Sequence, residues 1–188
     1  MGRLILYTLT SLDGAVDDPR RFFPATGDRI SVPVFDDDLV ELESRLIARQ
    51  GAVLMGRGMY DEWSAYWPTS TEQPFADFIN SVRKYVVTST PLARGWPNAE
   101  AVTAPLGPLV EDLKARTTGD IGVHGSITLA RSLLAEGLVD ELVLVVGRVV
   151  DPEGRRLFDG RVGRRDLMLL EAHRTSGGSV WLRYAFPS

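Results

Sequence analysis

The segment 120–146 constrains the fold more than any other stretch of the chain. It reads DIGVHGSITLARSLLAEGLVDELVLVV: a short apolar run, a turn at 124–126, a helical pattern that ends at Gly137, and a valine-rich run. Leucines spaced at i, i+4 and i+5 predict a helix with one buried side, and continuous apolar runs predict strands covered on both faces. Such a unit forms a right-handed crossover between parallel strands. The segment therefore predicts an α/β fold with a mostly parallel central sheet.

The turn within this segment is a candidate phosphate-binding site. Gly125 has no side chain, so its backbone can approach a ligand closely. Ser126 is a favoured residue before a helix and is predicted to cap the first turn. Free N–H groups and the helix dipole make this position suitable for an anion. A plain tight turn before a capped helix is the alternative, and the pattern alone favours that alternative.

Two further predicted strands end in side chains that can contact a phosphate. Gly56-Arg57-Gly58 follows a short apolar run and opens another predicted helix, and the guanidinium can bind a phosphate through two hydrogen bonds. Thr88 and Ser89 supply hydroxyl groups at the end of the next strand. An ordinary turn is the alternative in each case. Parallel strands end at one edge, where α/β folds bind ligands, so the three turns together predict a ligand with several phosphates.

The remaining patterns complete a single α/β domain, since no linker or internal repeat divides the chain. Two C-terminal segments joined by glycine and serine predict an antiparallel hairpin, and the proline-bearing segments 15–35 and 63–75 are predicted as loops. The predicted strands are 3–10, 52–55, 85–88, 99–103, 121–123, 142–146, 167–175 and 180–186. The predicted helices are 36–49, ended by Gly51, then 106–116 and those that follow the turns at 56–58 and 124–126.

Composition excludes several classes of protein. The 188 residues carry a net charge of −4 without a basic run, so nothing indicates nucleic acid as a partner. No stretch of about 18 apolar residues predicts a membrane helix, and residues 1–12 read as a strand rather than a signal peptide. The absence of cysteine excludes disulfides and thiolate metal sites and favours a cytoplasmic protein. The acidic run 36–38 is interpreted as a helix start, and no metal site is predicted.

Four motifs, in order, resemble the dihydrofolate reductase-like superfamily. They are S-L-D-G at 11–14, L-M-G-R-x-x-Y at 54–60, V-V-T-S-T at 86–90 and H-G-S-x-x-L-x-x-x-L-L-x-x-G-L-V-D-E-L at 124–142. The branch they resemble most is the C-terminal reductase domain of the bifunctional riboflavin-biosynthesis deaminase/reductase. The resemblance spans nearly the whole chain, and it implies a three-layer fold with a mostly parallel sheet and an antiparallel C-terminal hairpin.

The resemblance implies a homodimeric NADPH-dependent reductase that transfers a hydride to a C=N or C=O bond of a small heterocyclic substrate. Backbone amides at Gly56 and Gly125, with the Arg57 guanidinium, are expected to grip the dinucleotide, and Val16 is expected to border the nicotinamide. The residues that the resemblance assigns to the cofactor are Thr8, Leu9, Val16, Gly56, Arg57, Gly58, Thr88, Ser89, His124, Gly125, Ser126, Ile127, Thr128 and Leu129.

The chain departs from the family pattern mainly on the substrate side. Tyr7 stands where the riboflavin enzyme usually has a lysine, and Met59 replaces a threonine of the arginine motif. Asp13 is the candidate catalytic acid, with an Asp-Gly turn as the alternative and Glu41 and Tyr60 as other candidates. A second hypothesis for the whole chain is a nucleotide-binding module with a reductase-like fold and no turnover.

Overall fold

In the computed structural model, eight strands form one sheet. The structure describes residues 2–23, 35–158, 160 and 162–187. The strands are β1 (Leu4–Thr10), β2 (Gln50–Gly56), β3 (Arg83–Val87), β4 (Ala99–Val102), β5 (Asp120–His124), β6 (Glu141–Val146), β7 (Met168–Arg174) and β8 (Val180–Ala185). The helices are α1 (Pro19–Phe22), α2 (Asp37–Ile47), α3 (Arg57–Tyr66), α4 (Phe75–Ser81), α5 (Leu106–Arg116) and α6 (Ile127–Ala135), with a 3₁₀ turn at Trp67–Thr69.

The strand order is β4-β3-β2-β5-β1-β6-β8-β7. The six strands from β4 to β6 in this order run parallel, and β8 pairs antiparallel with both β6 and β7. Parallel neighbours require crossover connections, which the helices supply. The predicted mostly parallel sheet with an antiparallel C-terminal hairpin is therefore confirmed.

The helices lie in two layers because successive side chains of a strand point to opposite faces. Leu4 and Leu6 of β1 pack with α5 and α6 in one core cluster. Ile5 of β1 packs instead with α2, and Val53 of β2 packs on that same face with α3 and α4. The central strands are thus apolar on both faces, as the continuous runs in the sequence predict.

Residues 63–75 are not the loop that the sequence predicts. The helix α3 continues to Tyr66, the 3₁₀ turn follows, and α4 begins at Phe75. The prolines mark helix starts, since Pro68 lies in the first turn of the 3₁₀ helix and Pro74 precedes α4, positions where no intrahelical N–H bond is lost. Three aromatic rings pack together beneath these elements. Trp63 lies edge-to-face with both Trp67 and Phe75, and the Trp67 and Phe75 rings are tilted against each other.

Two other predicted boundaries differ from the structure. Gly51 lies inside β2, while α2 ends at Ile47. The predicted loop 15–35 contains the short helix α1, whose Asp18 side chain caps the first turn by accepting the Arg20 N–H. The part of that loop from 24 to 34 is outside the described residues.

The acidic start of α2 fastens the helix to the C-terminal hairpin. Asp36 accepts a hydrogen bond of 2.9 Å from the Leu39 N–H, which caps the helix. Its second oxygen accepts from the Thr175 hydroxyl at 2.7 Å and from the Gly177 N–H at 2.9 Å. Asp38 accepts from the Ser176 N–H at 2.6 Å. These carboxylates therefore connect α2 to the β7–β8 turn by hydrogen bonds.

Two features are absent from the described residues. None of their helices combines the length and apolarity needed to cross a membrane. In the same part of the chain, no cluster of three or more His, Cys, Asp or Glu side chains has the arrangement of a metal site.

Candidate functional site

The three candidate turns lie side by side at one edge of the sheet. The strands β3, β2 and β5 are parallel neighbours, so the turns that follow Val87, Gly56 and His124 share their carboxyl edge. The two glycine turns touch each other, because the Gly56 N–H donates a hydrogen bond of 3.0 Å to the Ser126 Oγ. The structure therefore brings the three predicted turns together at the edge where α/β folds bind ligands.

The glycine amides at this edge are not free, so that part of the sequence prediction is wrong. The Gly56 N–H is bonded to Ser126, and the Gly125 N–H faces the Tyr7 carbonyl oxygen at 3.5 Å. The Ser126 hydroxyl is directed at Gly56 and does not cap α6. Neither α3 nor α6 has a side-chain hydrogen bond at its N-cap. The first-turn N–H groups of these two helices are thus the donors that an anion could use.

The backbone before α6 is left-handed at two consecutive residues. The φ angle is +75° at Gly125 and +57° at Ser126. Glycine adopts this conformation readily, whereas a serine there costs on the order of 1–3 kcal/mol. The space beside Gly125 is filled by Met59, whose Cε would lie 2.5 Å from a Cβ at that glycine. A strained serine whose hydroxyl bridges to the neighbouring turn indicates a tightly constrained loop, as binding loops often are.

Arg57 joins the start of α3 to the loop that follows β3. Its Nε lies 2.8 Å from both carboxylate oxygens of Asp61. Its Nη1 donates to the Thr90 hydroxyl at 2.7 Å and to the Pro91 carbonyl oxygen at 2.8 Å. Thr88 shapes the same loop by accepting the Thr90 N–H at 3.1 Å. The guanidinium therefore lies at the candidate edge, between the start of α3 and the Thr88 loop.

The other candidate residues at this edge differ in what they could offer a ligand. Gly58, Ser89 and Thr128 are exposed, and Ile127 is half-buried at the start of α6. Leu129 is buried in the core cluster, so only its backbone can reach a ligand. His124 is also buried, on the face of β5 toward α4, where its ring lies 5.4 Å from that of Phe75.

A small apolar cavity of about 140 Å³ opens beside the end of β1. Val16 is one of its walls and belongs to the same core cluster as α6, so the cavity and the start of α6 lie on one face of the sheet. Thr8 lies on this face of β1, whereas Leu9 packs against the cluster on the other face. Other walls are Thr10, Leu144, Val146, Leu157 and Phe158.

Asp13 holds the segment after β6 against the turn after β1. Its Oδ1 accepts the Asp151 N–H at 2.8 Å and the Ser11 hydroxyl at 2.6 Å, and its Oδ2 accepts from Arg156 Nη2 at 2.9 Å. These donors, led by the Asp151 N–H, lower the pKa of Asp13 to about 2. An acid of that strength is ionised at neutral pH and is unsuited to donate a proton. Asp13 as the catalytic acid stays a prediction, while its contacts indicate a role in positioning this turn.

Glu41 and Tyr60, the other candidate acids, are not placed to donate a proton to a ligand at the candidate edge. The Glu41 side chain is 73% exposed on α2 and lies 4.0 Å from Arg45. Tyr60 is buried against Trp96, and its hydroxyl donates to the Arg94 carbonyl oxygen. Neither group faces the cavity or the helix starts.

The structure reveals a buried acid that the sequence interpretation missed. Glu43 of α2 is only 6% exposed and hydrogen-bonds to Tyr7 of β1. Burial raises its pKa to about 7. A sequence signal was present, because Glu43 falls within the apolar stripe formed by Leu39, Leu42, Leu46 and Ile47. A carboxylate in such a stripe is uncommon and is a candidate for a functional group.

A larger concavity of about 490 Å³ lies at the opposite edge of the sheet, at the starts of β2 and β3. Its cations Arg83 and Arg116 lie 3.6 Å from Glu100 and 2.7 Å from Asp112, so they are ion-paired as Arg57 is with Asp61. It is remote from the three turns in the topology, so its size does not make it the candidate site.

Comparison with known proteins identifies the family. The RibD C-terminal domain family matches residues 3–180. The chain belongs to the RibD C-terminal domain family. A relative, the uncharacterized protein YyaP of Bacillus subtilis, is 27% identical over 188 residues, which cover 97% of this chain and 94% of that protein.

Solved structures confirm the dihydrofolate reductase-like fold of this family. A putative riboflavin biosynthesis protein from Shewanella sp. PV-4 superposes with a TM-score of 0.75 at 20% identity, covering 99% of both chains. The Thermotoga maritima diaminohydroxyphosphoribosylaminopyrimidine deaminase/5-amino-6-(5-phosphoribosylamino)uracil reductase superposes with a TM-score of 0.63 at 14% identity. That match covers 99% of this chain and 57% of the Thermotoga chain. The chain therefore shares its fold with these proteins.

Proposed function

We propose that this protein is an NADPH-dependent reductase that transfers a hydride to a C=N or C=O bond of a small heterocyclic substrate. Membership of the RibD C-terminal domain family supports a reductase related to the riboflavin pathway. The proposal rests above all on one observation: the uncapped starts of α3 and α6 touch at the carboxyl edge of the sheet, beside Arg57. Two such helix starts and a guanidinium suit the phosphates of a dinucleotide.

The residues at this edge would bind the phosphates and the nicotinamide of NADPH. First-turn amides of α6, at 126–129, would hold the pyrophosphate, and the start of α3 with Arg57 would hold the phosphates on the adenosine side. Thr88 and Ser89 would lie near the 2′-phosphate. The apolar cavity beside Val16 would border the nicotinamide. When bound, NADPH supplies the hydride, and the protein's task is to orient the reactants and exclude water.

Ser126 would compete with the cofactor for one donor. Its hydroxyl occupies the Gly56 N–H, which a phosphate oxygen could take instead. Rotation of the serine side chain would release that N–H without moving the backbone of β2. The single domain would act on a small molecule and would assemble as a homodimer, as the family resemblance implies.

The experiment that tests the cofactor proposal is a titration of the protein with NADPH and with NADH, followed by quenching of the fluorescence of its four tryptophans. Arg57→Ala should weaken NADPH binding by about tenfold or more, because a lost charged hydrogen bond to phosphate is worth roughly 1.5–3 kcal/mol. NADH binding should change much less. Arg83→Ala is the matched control, since Arg83 is an exposed arginine at the opposite edge.

Two results would contradict this assignment in different ways. An equal effect of Arg57→Ala on NADPH and NADH would remove the role of Arg57 at the 2′-phosphate side. Tight NADPH binding without substrate-dependent NADPH oxidation would favour the nucleotide-binding module over the enzyme. The substrates to screen are pterins, folates and ribosylaminopyrimidines.

A further inference from the structure

The guanidinium of Arg57 is held from two sides at the start of α3. Its Nε lies 2.8 Å from both carboxylate oxygens of Asp61, one turn further along the helix. Its Nη1 donates to the Thr90 hydroxyl at 2.7 Å and to the Pro91 carbonyl oxygen at 2.8 Å, in the loop after β3. The Arg57 side chain is therefore only 28% exposed, and its orientation is fixed before any ligand binds.

One amino group of Arg57 remains available to a ligand. An arginine has one N–H on Nε and two on each Nη nitrogen. The bonds to Asp61, Thr90 and Pro91 use Nε and Nη1, and no acceptor for Nη2 lies within the part of the chain that the structure describes. The first-turn N–H groups of α3 lie at the same helix start, which has no side-chain cap. Nη2 is thus the group through which Arg57 would bind a phosphate.

Helix stability does not explain the ion pair between Arg57 and Asp61. A cation at the first position of a helix faces the positive end of the helix dipole, which is unfavourable. Pairs at i and i+4 also stabilise a helix better when the acid comes first, and here the arginine comes first. The helix α5 has the favourable order, with Asp112 before Arg116 at 2.7 Å. The pair in α3 therefore points to a role at the candidate site.

Asp61 places a negative charge beside the position of the phosphate. Its side chain is 50% exposed and contacts the same guanidinium that the phosphate would contact. A phosphate oxygen bonded to Nη2 would lie about 4–6 Å from the Asp61 carboxylate, since charged hydrogen bonds of this kind are about 2.8 Å long. Like charges this close, near the surface, change an affinity by about fivefold or more. Asp61 therefore opposes the binding of an anion that Arg57 favours.

We propose that Asp61 limits the preference of this protein for NADPH over NADH, so that NADH remains a usable hydride donor. This inference rests on the proposed function, in which Arg57, Thr88 and Ser89 lie on the side of the 2′-phosphate. NADPH differs from NADH only in that phosphate, which carries roughly 1.5–2 negative charges at neutral pH. Repulsion by Asp61 therefore weakens NADPH binding and largely spares NADH.

Asp61 also orients Arg57, and this second effect favours NADPH. It is the smaller effect, because the two Nη1 bonds to Thr90 and Pro91 hold the guanidinium without the carboxylate. Thr88 in turn fixes that loop by accepting the Thr90 N–H at 3.1 Å. Removing the charge of Asp61 should therefore leave Arg57 in place and strengthen its attraction for a phosphate.

The first test measures the dissociation constants of NADPH and NADH by tryptophan fluorescence. Asp61→Asn removes the charge but keeps an oxygen that can accept the Arg57 N–H. It should strengthen NADPH binding by about fivefold or more and change NADH binding by less than about twofold. Asp112→Asn is the matched control, because it removes the same charge from the i,i+4 pair in α5 at the opposite edge. Both dissociation constants of the control should equal those of the wild type.

The second test repeats these titrations at low and high salt. The Debye length falls from about 10 Å at 0.1 M salt to about 3 Å at 1 M. The gain in NADPH affinity from Asp61→Asn should therefore shrink to below about twofold at about 1 M NaCl. An effect of the substitution on the structure of α3 would persist at high salt. Asp61→Ala, which removes the Nε acceptor as well, should gain less NADPH affinity than Asp61→Asn.

The outcomes separate this inference from the function on which it rests. Wild-type protein that binds neither dinucleotide would overturn the cofactor proposal and the role of Asp61 with it. Wild-type protein that binds NADPH through Arg57, with the same ratio of the two dissociation constants in Asp61→Asn, would overturn the role of Asp61 alone. A weaker binding of NADPH by Asp61→Asn, or an equal gain for NADPH and NADH, would also overturn it.

Discussion

Among individual residues, Glu43 makes the stability of the protein depend on pH. Its pKa is 4.5 in an unperturbed side chain and about 7 in the folded protein, because burial disfavours the carboxylate. A group whose pKa rises on folding stabilises the protein below its unfolded pKa, and that contribution is lost as the pH rises through the folded pKa. Between these two pKa values, the contribution of Glu43 to the free energy of unfolding should fall by about 3 kcal/mol.

Glu43→Gln should remove this dependence, since an amide does not titrate. The measurement is the free energy of unfolding by denaturant at several pH values, compared between wild type and variant. The comparison is needed because His124 acts in the opposite direction: burial lowers its pKa to about 3, so the stability it contributes is lost as the pH falls toward that value. A difference between the two proteins that is constant from about pH 4 to about pH 8 would contradict the assigned burial of Glu43.

Single residues were also where sequence interpretation failed most often. Ser126 is a common N-cap residue, but its left-handed backbone aims the hydroxyl at Gly56 across the neighbouring turn. Lys84 lies in a strand that reads as ordinary, yet it is fully buried and donates to the carbonyl oxygens of Ile79 and Val82 at the end of α4. These roles depend on partners distant in the fold, which the local pattern does not contain.

The elements were predictable where periodicity was strong. The helix 106–116 and the C-terminal hairpin have the predicted positions, because alternating or helical apolar spacing reflects the face that each element buries. The segment 63–75 was misread because prolines and tryptophans look like loop residues in a sequence. In the structure the prolines start helices and the tryptophans fill the space between α3 and α4.

At the scale of elements, hydrogen bonds connect the turn after β1 to the segment after β6. Asp13 contributes to this connection by accepting the Asp151 N–H. Two backbone hydrogen bonds add to it. The Leu12 N–H donates to the Val149 carbonyl oxygen at 2.7 Å, and the Val16 N–H donates to the Arg155 carbonyl oxygen at 2.9 Å. This segment carries Leu157, a wall of the cavity. Asp13 therefore fixes one side of the proposed nicotinamide pocket.

Asp13→Ala should loosen this connection. Hydrogen exchange at the Asp151 amide should quicken by about tenfold or more, because that N–H loses its acceptor. NADPH should bind more weakly, while the start of α6 should keep its protection. Asp166→Ala is the control, since Asp166 is largely exposed. Unchanged exchange across 149–156 would contradict the positioning role.

For the whole molecule, the edge strand β7 carries the feature relevant to assembly. Met168, Leu169 and Leu170 are 58%, 52% and 42% exposed on this strand, whose outer edge pairs with no other strand of the described residues. An exposed apolar edge strand is a site for pairing with another chain. It therefore supports the proposal of a homodimer that pairs along β7.

Leu169→Glu should convert the proposed dimer to a monomer, because a buried unpaired carboxylate at such an interface is costly. The measurement is the molar mass by light scattering during size-exclusion chromatography. Leu12→Glu, on another exposed leucine, is the control and should keep the wild-type mass. A monomeric wild type would contradict the dimer.

The central claim is that the starts of α3 and α6 jointly bind a dinucleotide at the carboxyl edge of the sheet. Hydrogen exchange measured by mass spectrometry, with and without NADPH, tests it most directly, because the first-turn amides are the proposed donors. The account predicts slower exchange at 57–60 and 126–129 when NADPH is added, with no change at the opposite edge, at 116–119. Unchanged exchange at both helix starts, or protection confined to the opposite edge, would contradict it.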